Sequence, residues 1–389
     1  MIKACVIGKG AIRLWGLDGR TRIGRQLSAI GGIEVVDSVD NVGANDKVLL
    51  IRADHVFELR GLSSLVGLEG VLVADGKAAA AIVAGNQVPA AVAALHGEQT
   101  SLPKLSLNDL AAYAVELRKT EPPLVAEVTS ASQAGLESRL YGGSYKGVTD
   151  FVTKWWWPKP ARRGVEFAAK LGLTPNMVTG TGVLLMLIAL WAFAEGQYVA
   201  GLICGWIMTW LDTVDGKLAR VTVQSSRIGH ILDHGMDIVH PPFWYWAWGA
   251  SLGAAYVGPF DLTLNQLVIL VFVGYIGGRL MEAAFHLLGP IGLFAWRPFD
   301  AYFRLYTARR NPCLVLMTAA LPIGGAELSF LLVVGWHLLS TLILMLRLLY
   351  AIGVRLRGGP LTSWLADPES RNRYPRAHAT FSATRAAYE

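Results

Sequence analysis

Long apolar runs between residues 175 and 352, such as Gly182 to Ala194, Leu267 to Gly277 and Phe330 to Leu349, limit the folding of this chain more than any other feature. Several approach the roughly 20 apolar residues that cross a bilayer as a helix. Lipid offers the backbone no hydrogen-bond partners, so a spanning segment must satisfy its own amides and carbonyls. The second half therefore reads as an all-α polytopic membrane domain. Six transmembrane helices are expected, near residues 177–195, 197–216, 228–252, 265–288, 312–325 and 327–352, the fifth being the shortest. An even number returns the chain to the side on which it entered.

The N-terminal part is of another kind. The chain is 53% hydrophobic and 16% charged, but residues 1–125 mix short β-branched runs with charges and glycines, as a soluble α/β domain does. Lys3 to Gly8, Lys47 to Ile51 and Gly70 to Val73 read as strands of a layered parallel sheet. Residues 78–94 read as strand and turn, because Gly85, Asn86 and Pro89 interrupt them. Ser106 to Thr120 reads as one amphipathic helix closed by Pro122-Pro123. Residues 126–174 form a linker with an interfacial amphipathic helix, residues 175–352 the membrane domain, and residues 353–389 a cytoplasmic tail.

Cys5, Cys204 and Cys313 are too scattered for a disulfide framework or a zinc site. Charge and glycine follow Met1 to Ile7 at once, so no secretory signal peptide is expected and the soluble part stays in the cytoplasm. The net charge of +6 gathers beside the spans, in Lys154, Lys159, Arg162 and Arg163 and again in Arg304, Arg309, Arg310, Arg355 and Arg357. That placement suits the cytoplasmic face and anionic headgroups of an inner membrane; no nucleic-acid motif accompanies it. Trp155-Trp156-Trp157 suits the lipid interface, with packing against the soluble domain as the alternative.

Chemistry concentrates where the second expected span ends and the third begins. Asp212, Asp215, Asp233 and Asp237 would be costly near lipid unless paired or solvated. On helices, spacings of three and four put each pair on one face, and two such faces meeting would gather four carboxylates. A divalent cation relieves their repulsion, and oxygen ligands suit Mg²⁺ or Mn²⁺. Gly216, Ala219 and Gly229 lack bulk, which lets a ligand approach between the helices.

The full pattern, D-x2-D-G-x2-A-R-x8-G-x3-D-x3-D, resembles the signature of the CDP-alcohol phosphotransferase family over roughly residues 145–352. The resemblance implies a cavity open to the cytoplasm, two divalent metal ions, a CDP-alcohol donor, a hydroxyl acceptor that is a lipid or a phosphorylated polyol, and often a homodimer. It implies that Asp212, Asp215, Asp233 and Asp237 hold metal, that Gly216, Ala219, Arg220 and Gly229 contact the CDP moiety, and that Asp237 acts as general base beside Asp233. Thr174-Pro175-Asn176 resembles a turn common in the family. A transporter using the acids as an ion path, or a non-catalytic scaffold, is the alternative from another class.

Acceptor recognition is expected outside the motif. Arg279, Glu282 and His286 share one face of the fourth span, as a cavity wall or as an Arg279–Glu282 pair. Arg297, Arg304, Arg309 and Arg310 form either a positive-inside loop or a phosphate site. His240-Pro241-Pro242 is expected to break the third span and kink it.

The N-terminal domain resembles the sugar-nucleotidyltransferase fold in a degenerate form: Ala4 to Gly10 with Arg13 lies where a glycine-rich loop would be, and Val48 to Ile51 leads to Asp54. Few glycines stand in that loop and no Lys-Pro follows it. The pairing of domains resembles the bifunctional enzymes that make CDP-inositol and then di-inositol-phosphate phosphate, so a bifunctional enzyme making its own CDP-alcohol from CTP is the alternative.

Overall fold

The computed structural model describes residues 2–40, 42–224 and 227–382; within 227–234 the description stops at the backbone. The N-terminal region is built on β1 (Ile2–Ile7), α1 (Gly19–Ile30), β2 (Ile33–Val36), β3 (Lys47–Arg52), a short β4 (His55–Phe57), α2 (Leu59–Leu65), β5 (Gly70–Ala74), β6 (Lys77–Ala84), α3 (Val88–Leu95) and β7 (Lys104–Leu105). Six strands form one sheet in the order β2-β1-β3-β6-β5-β7. Val48 to Ile51 in β3 are fully buried, as a central strand covered on both faces requires. Ile23 and Leu27 of α1 pack on one face, Ala91 and Leu95 of α3 on the other.

Two expectations fail here for local reasons. The sheet is mixed, since β6 runs antiparallel to both β3 and β5. Asp75 and Gly76, at φ 49° and 79°, close a two-residue hairpin, and Asp-Gly favours this turn. Residues 106–120 are not a helix. Asp109 accepts hydrogen bonds from the Ser106 amide and hydroxyl and ends a single turn, after which β8 (Tyr113–Ala114) and β9 (Lys119–Thr120) form a hairpin. Long-range contacts hold it open: the Thr120 amide donates to Ser382 O at 2.7 Å and the Gly147 amide to Leu117 O at 2.7 Å. Strand β10 (Val125–Glu127) then pairs with β4.

The helical region follows through α4 (Gln133–Gly143), a π turn at Val152–Trp156 and α5 (Pro158–Lys170). The main helices are α6 (Pro175–Ala194), α7 (Tyr198–Val221), α8 (Arg227–Ala250), α9 (Leu264–Leu288), the short α10 (Pro298–Tyr306) and α11 (Arg310–Leu356). Among the described residues α6, α9 and α11 are long and apolar enough to cross a membrane. Helices α7 and α8 carry the aspartates, yet Val199 and Ile203 on one and Val239 and Phe243 on the other face outward.

The expected fifth and sixth spans share α11, which is interrupted at Gly324 and Gly325. The Ser329 hydroxyl lies 3.2 Å from Met317 O. A straight helix would separate residues twelve apart by about 18 Å, so the chain doubles back at the glycines. Its two arms, 310–323 and 326–356, pack as a hairpin, and Cys313 Sγ lies 3.5 Å from His337 Nε2. Helix α8, expected to break at Pro241-Pro242, runs unbroken to Ala250.

The two regions share a core. Trp15, from the loop after β1, packs with Tyr141, Val165, Val214 and Leu218, and its amide donates to Glu137. On α1, Arg22 donates to Val221 O at 2.8 Å and Arg25 to Thr222 O at 2.7 Å. They satisfy carbonyls left open at the end of α7. The segment after α11 also returns to the protein, burying Trp364, Leu365 and Phe381 against Phe294 and Trp296.

Candidate active site

Helix α6 starts at Thr174, whose hydroxyl accepts from the Met177 amide, with Pro175 in the first turn where no amide partner is lost. One turn on, the Thr179 hydroxyl donates to Asp215 Oδ2 at 2.5 Å. Asp215 therefore sits between α6 and α7 and is buried. Asp212, Gly216, Ala219 and Arg220 share the more open face of α7, where Arg220 donates to Gly216 O at 3.1 Å.

A single guanidinium joins the two motif helices. Arg310, at the start of α11, donates through Nη2 to Asp212 Oδ2 and through Nη1 to Asp237 Oδ1, each at 2.5 Å. The side chain of Asp212 is 26% exposed and that of Asp237 44%, so Asp237 keeps open access. Arg310 was expected in an acceptor site; it lies instead within the aspartate cluster. Gly229 and Asp233 fall on the first turns of α8, and their side chains lie outside the described residues.

The residues holding Asp237 are traceable to Pro241 and Pro242. Neither proline has an N–H, so the carbonyls of Asp237 and Ile238, four residues earlier, lose their helical partners. The Tyr275 hydroxyl from α9 lies 2.7 Å from Ile238 O and 3.3 Å from Asp237 O. Arg279 donates to that hydroxyl at 3.2 Å and lies over the Tyr275 ring. His240 Nδ1–H donates to Met236 O at 2.6 Å. Tyr275 was absent from the sequence expectations, although the proline pair signals that a donor is needed there.

The remaining arginines divide. Glu282 pairs with Arg309 rather than with Arg279. Arg304 and Arg309 both lie over Phe294, and Arg304 Nη1 is buried without a hydrogen-bond partner. Arg297 turns away onto Trp296 and Tyr350. Buried Asp300, on α10, receives a two-pronged hydrogen bond from Arg347 at 2.6 and 2.9 Å.

Asp212 and Asp237 come close enough to share one guanidinium, and their carboxylate oxygens are hard donors of the kind Mg²⁺ and Mn²⁺ take. The residues present thus fit a divalent cation. Among the described residues no three acids, histidines or cysteines gather as a metal-binding group, Asp233 lying outside them.

The match to a protein-family model falls on the same helices. The CDP-alcohol phosphatidyltransferase model matches residues 172–298. An archaetidylinositol phosphate synthase of Pyrococcus horikoshii is 39% identical over 80 residues, 20% of this chain and 42% of that protein. Choline/ethanolaminephosphotransferase 1 of Arabidopsis thaliana is 28% identical over 193 residues, 42% of this chain and 49% of that protein. The chain spans less than half the length of these curated relatives. Apolar helices and this match make it a membrane protein. The stretch that holds Asp212, Asp215 and Asp237 in place, residues 172–298, is a CDP-alcohol phosphatidyltransferase domain.

Proposed function

We propose that this protein transfers a phospho-alcohol group from a CDP-alcohol to an acceptor hydroxyl and releases CMP. The observation that carries the proposal is the meeting of Asp212 and Asp237, from two helices, on one cation. In the proposed reaction Asp237 takes the proton of the acceptor hydroxyl, whose oxygen attacks the β-phosphorus of the donor. The bond from that phosphorus to the bridging oxygen breaks, and CMP leaves with the electron pair. Asp237 suits the base because its carboxylate is half open, while Tyr275 steadies its backbone.

Asp212, Asp215, Asp233 and Asp237 would hold two divalent ions, Mg²⁺ or Mn²⁺, whose charge offsets that of the diphosphate. Gly216, Ala219, Arg220 and Gly229 line the CDP side of the site. Gly216 leaves room there, because among the described residues a methyl group added to it would meet only Arg220 Nη1, at 3.5 Å. Arg279, Arg304 and Arg309 face the acceptor, and their excess over Glu282 favours an acceptor bearing a phosphate. The outward apolar faces of α7 and α8 and the two arms of α11 support six spans. Exposed Trp155, Trp156 and Phe167, with Lys159 and Arg163, support an interfacial α5 region on the cytoplasmic side.

The N-terminal domain docks on this site without transferring a nucleotide. Asp54, the acid that would mark a metal position there, is held by Arg52 at 2.5 and 3.0 Å and by His55 at 2.8 Å. Purified protein with Mg²⁺ or Mn²⁺ is expected to release CMP from a CDP-alcohol when given phosphorylated and lipid hydroxyl acceptors. A panel of donors and acceptors that yields no CMP would overturn the proposal.

A further inference from the structure

The hairpin of β8 and β9 belongs to the N-terminal region but packs on the helical one. Tyr113 lies against the core that holds Phe285 and Phe294. Lys119, 1% exposed, donates to Gly143 O at 2.8 Å, and the Gly147 amide closes on Leu117 O. A methyl group on Gly147 would lie 2.5 Å from Arg118 O and 2.1 Å from Phe381 O, so the loop presses on a position that admits only glycine. Between these anchors stands Arg118, the last residue of the loop 115–118. Its backbone has φ 49°, in the left-handed region that glycine enters freely and that is costly for a residue with a side chain. Anchors on both sides over-determine that conformation, the condition under which strained residues persist at functional sites.

The side chain leads into the helical region. Arg118 Nη2 lies 3.9 Å from where a methyl group on Gly292 would stand, and His286 Cε1 lies 3.4 Å from the same point. Arg304 and Arg309 lie over Phe294, two residues further on. Glu282 is close enough for its charge to act on Arg118 and Arg304, but Arg309 holds it. The other acids whose charge reaches Arg304 are also taken, Asp150 by Asn311 and Thr153 and Asp237 by Arg310. Among the described residues neither Arg118 nor Arg304 makes an ion pair, and Arg304 Nη1 is buried without a hydrogen-bond partner. Burial, and then the charge of Arg304, pull the Arg118 guanidinium below its ordinary pKa, and Glu282 and Tyr113 offset only part of this. Two neighbouring cations without a carboxylate of their own call for an anion beside them.

We propose that Arg118 is a specificity-determining residue for the acceptor: with Arg304 it binds a phosphomonoester on the acceptor, so that the N-terminal region completes the substrate site of the membrane domain. The inference rests on the transferase reading above and adds to it a residue from outside the matched stretch, residues 172–298. A guanidinium fork matches phosphate oxygens in pairs, and a dianion relieves the repulsion between the two arginines. An acceptor without the phosphate leaves both charges unpaired, which is the basis of discrimination. A soluble polyol phosphate and a lipid headgroup present the same chemistry, and experiment tells them apart.

The full chain in detergent and EDTA is titrated calorimetrically with glycerol 3-phosphate and with lysophosphatidic acid in mixed micelles, which carries the same phosphomonoester on an acylated glycerol. Saturable binding is expected; tighter binding of the first assigns a soluble acceptor, of the second a lipid. Arg118→Gln is expected to weaken binding about tenfold, the scale of one hydrogen bond to a charged group. Arg118→Lys is expected to recover most of that loss, and Val115→Ala, in the same loop and 60% exposed, to bind as the parent does. Arg118→Gly relaxes the strained backbone, so it is expected to melt no lower than the parent while binding as weakly as Arg118→Gln. In CMP-release assays Arg118→Gln is expected to raise KM about tenfold for glycerol phosphate or inositol phosphate with kcat little changed, and to leave glycerol and inositol unaffected. No saturable binding of either probe, equal weakening in Val115→Ala, or an Arg118→Gly chain that melts lower and binds like the parent overturns the proposal. Binding that depends on Arg118 in a chain releasing no CMP from any donor sinks the transferase reading but not the anion subsite. CMP release whose preference for phosphorylated acceptors is unmoved by Arg118→Gln does the reverse.

Discussion

In the N-terminal sheet one carboxylate, Asp54, serves two donors within two residues of it, Arg52 and His55. In the membrane domain one guanidinium, Arg310, serves two carboxylates that lie 98 and 73 residues away in sequence. The first cluster has donors to spare and is closed by its own neighbours. The second has acids to spare, since Asp215 lies a turn from Asp212. A local cluster with spare donors has no need of a metal; a cluster assembled from distant helices with spare acids stays together only while a cation is among them.

The largest expected effect separates the two clusters by activity. Asp237→Asn is expected to lower CMP release by about a thousandfold, the scale of a lost general base, whereas Asp54→Asn leaves it unchanged. Equal losses in both would erase the distinction. Next, Arg310→Gln leaves Asp212 and Asp237 facing each other. Calorimetry without divalent ions is expected to show a loss of about 2 kcal/mol, below the range for a fully buried pair because Asp237 is half open. Added Mn²⁺ is expected to restore more stability to this variant than to the parent. A parent that gains as much would mean that Arg310 and metal do not share the site.

Tyr275→Phe removes the hydroxyl that serves Asp237 O and Ile238 O. A loss of about 1–2 kcal/mol is expected, with kcat falling more than KM rises. The smallest effect belongs to Asp54. Burial resists its ionisation, but hydrogen bonds from Arg52 and His55 outweigh that and hold it at about 2. Its folded value is depressed, so its contribution is present above the unfolded value near 4 and is lost as pH falls through 2. Solvent screening keeps this under about 1 kcal/mol. Urea melts of the parent between pH 4 and pH 2 are expected to show that slope, and Asp54→Asn to flatten it.

Much of the framework was legible because it depends on neighbours in sequence. Strands β1, β3 and β5 follow from apolar runs, and the aspartate spacing is local to two helices. The direction of β6 was legible too, had Asp75-Gly76 been taken as a hairpin turn. Residues 106–120 misled because helical periodicity there yields to contacts with Gly147 and Ser382. The grip of Arg310 on Asp212 and Asp237 was hidden for another reason. Four arginines lie between 297 and 310, and nothing local distinguishes the one that reaches α7 and α8 from those that lie over Phe294 or Trp296.

The bond from Arg22 to Val221 joins residues 199 apart in the chain. At roughly 5–20 residues per second of synthesis, α1 waits about 10–40 s for the helix end it caps. Trp15 waits as long for Val214 and Leu218. During that interval the newly made sheet exposes an indole and two guanidiniums that lack their α7 carbonyls. Completion of the N-terminal domain is thereby timed by the synthesis of α7, and a chain stalled before residue 221 carries an adhesive, unfinished surface.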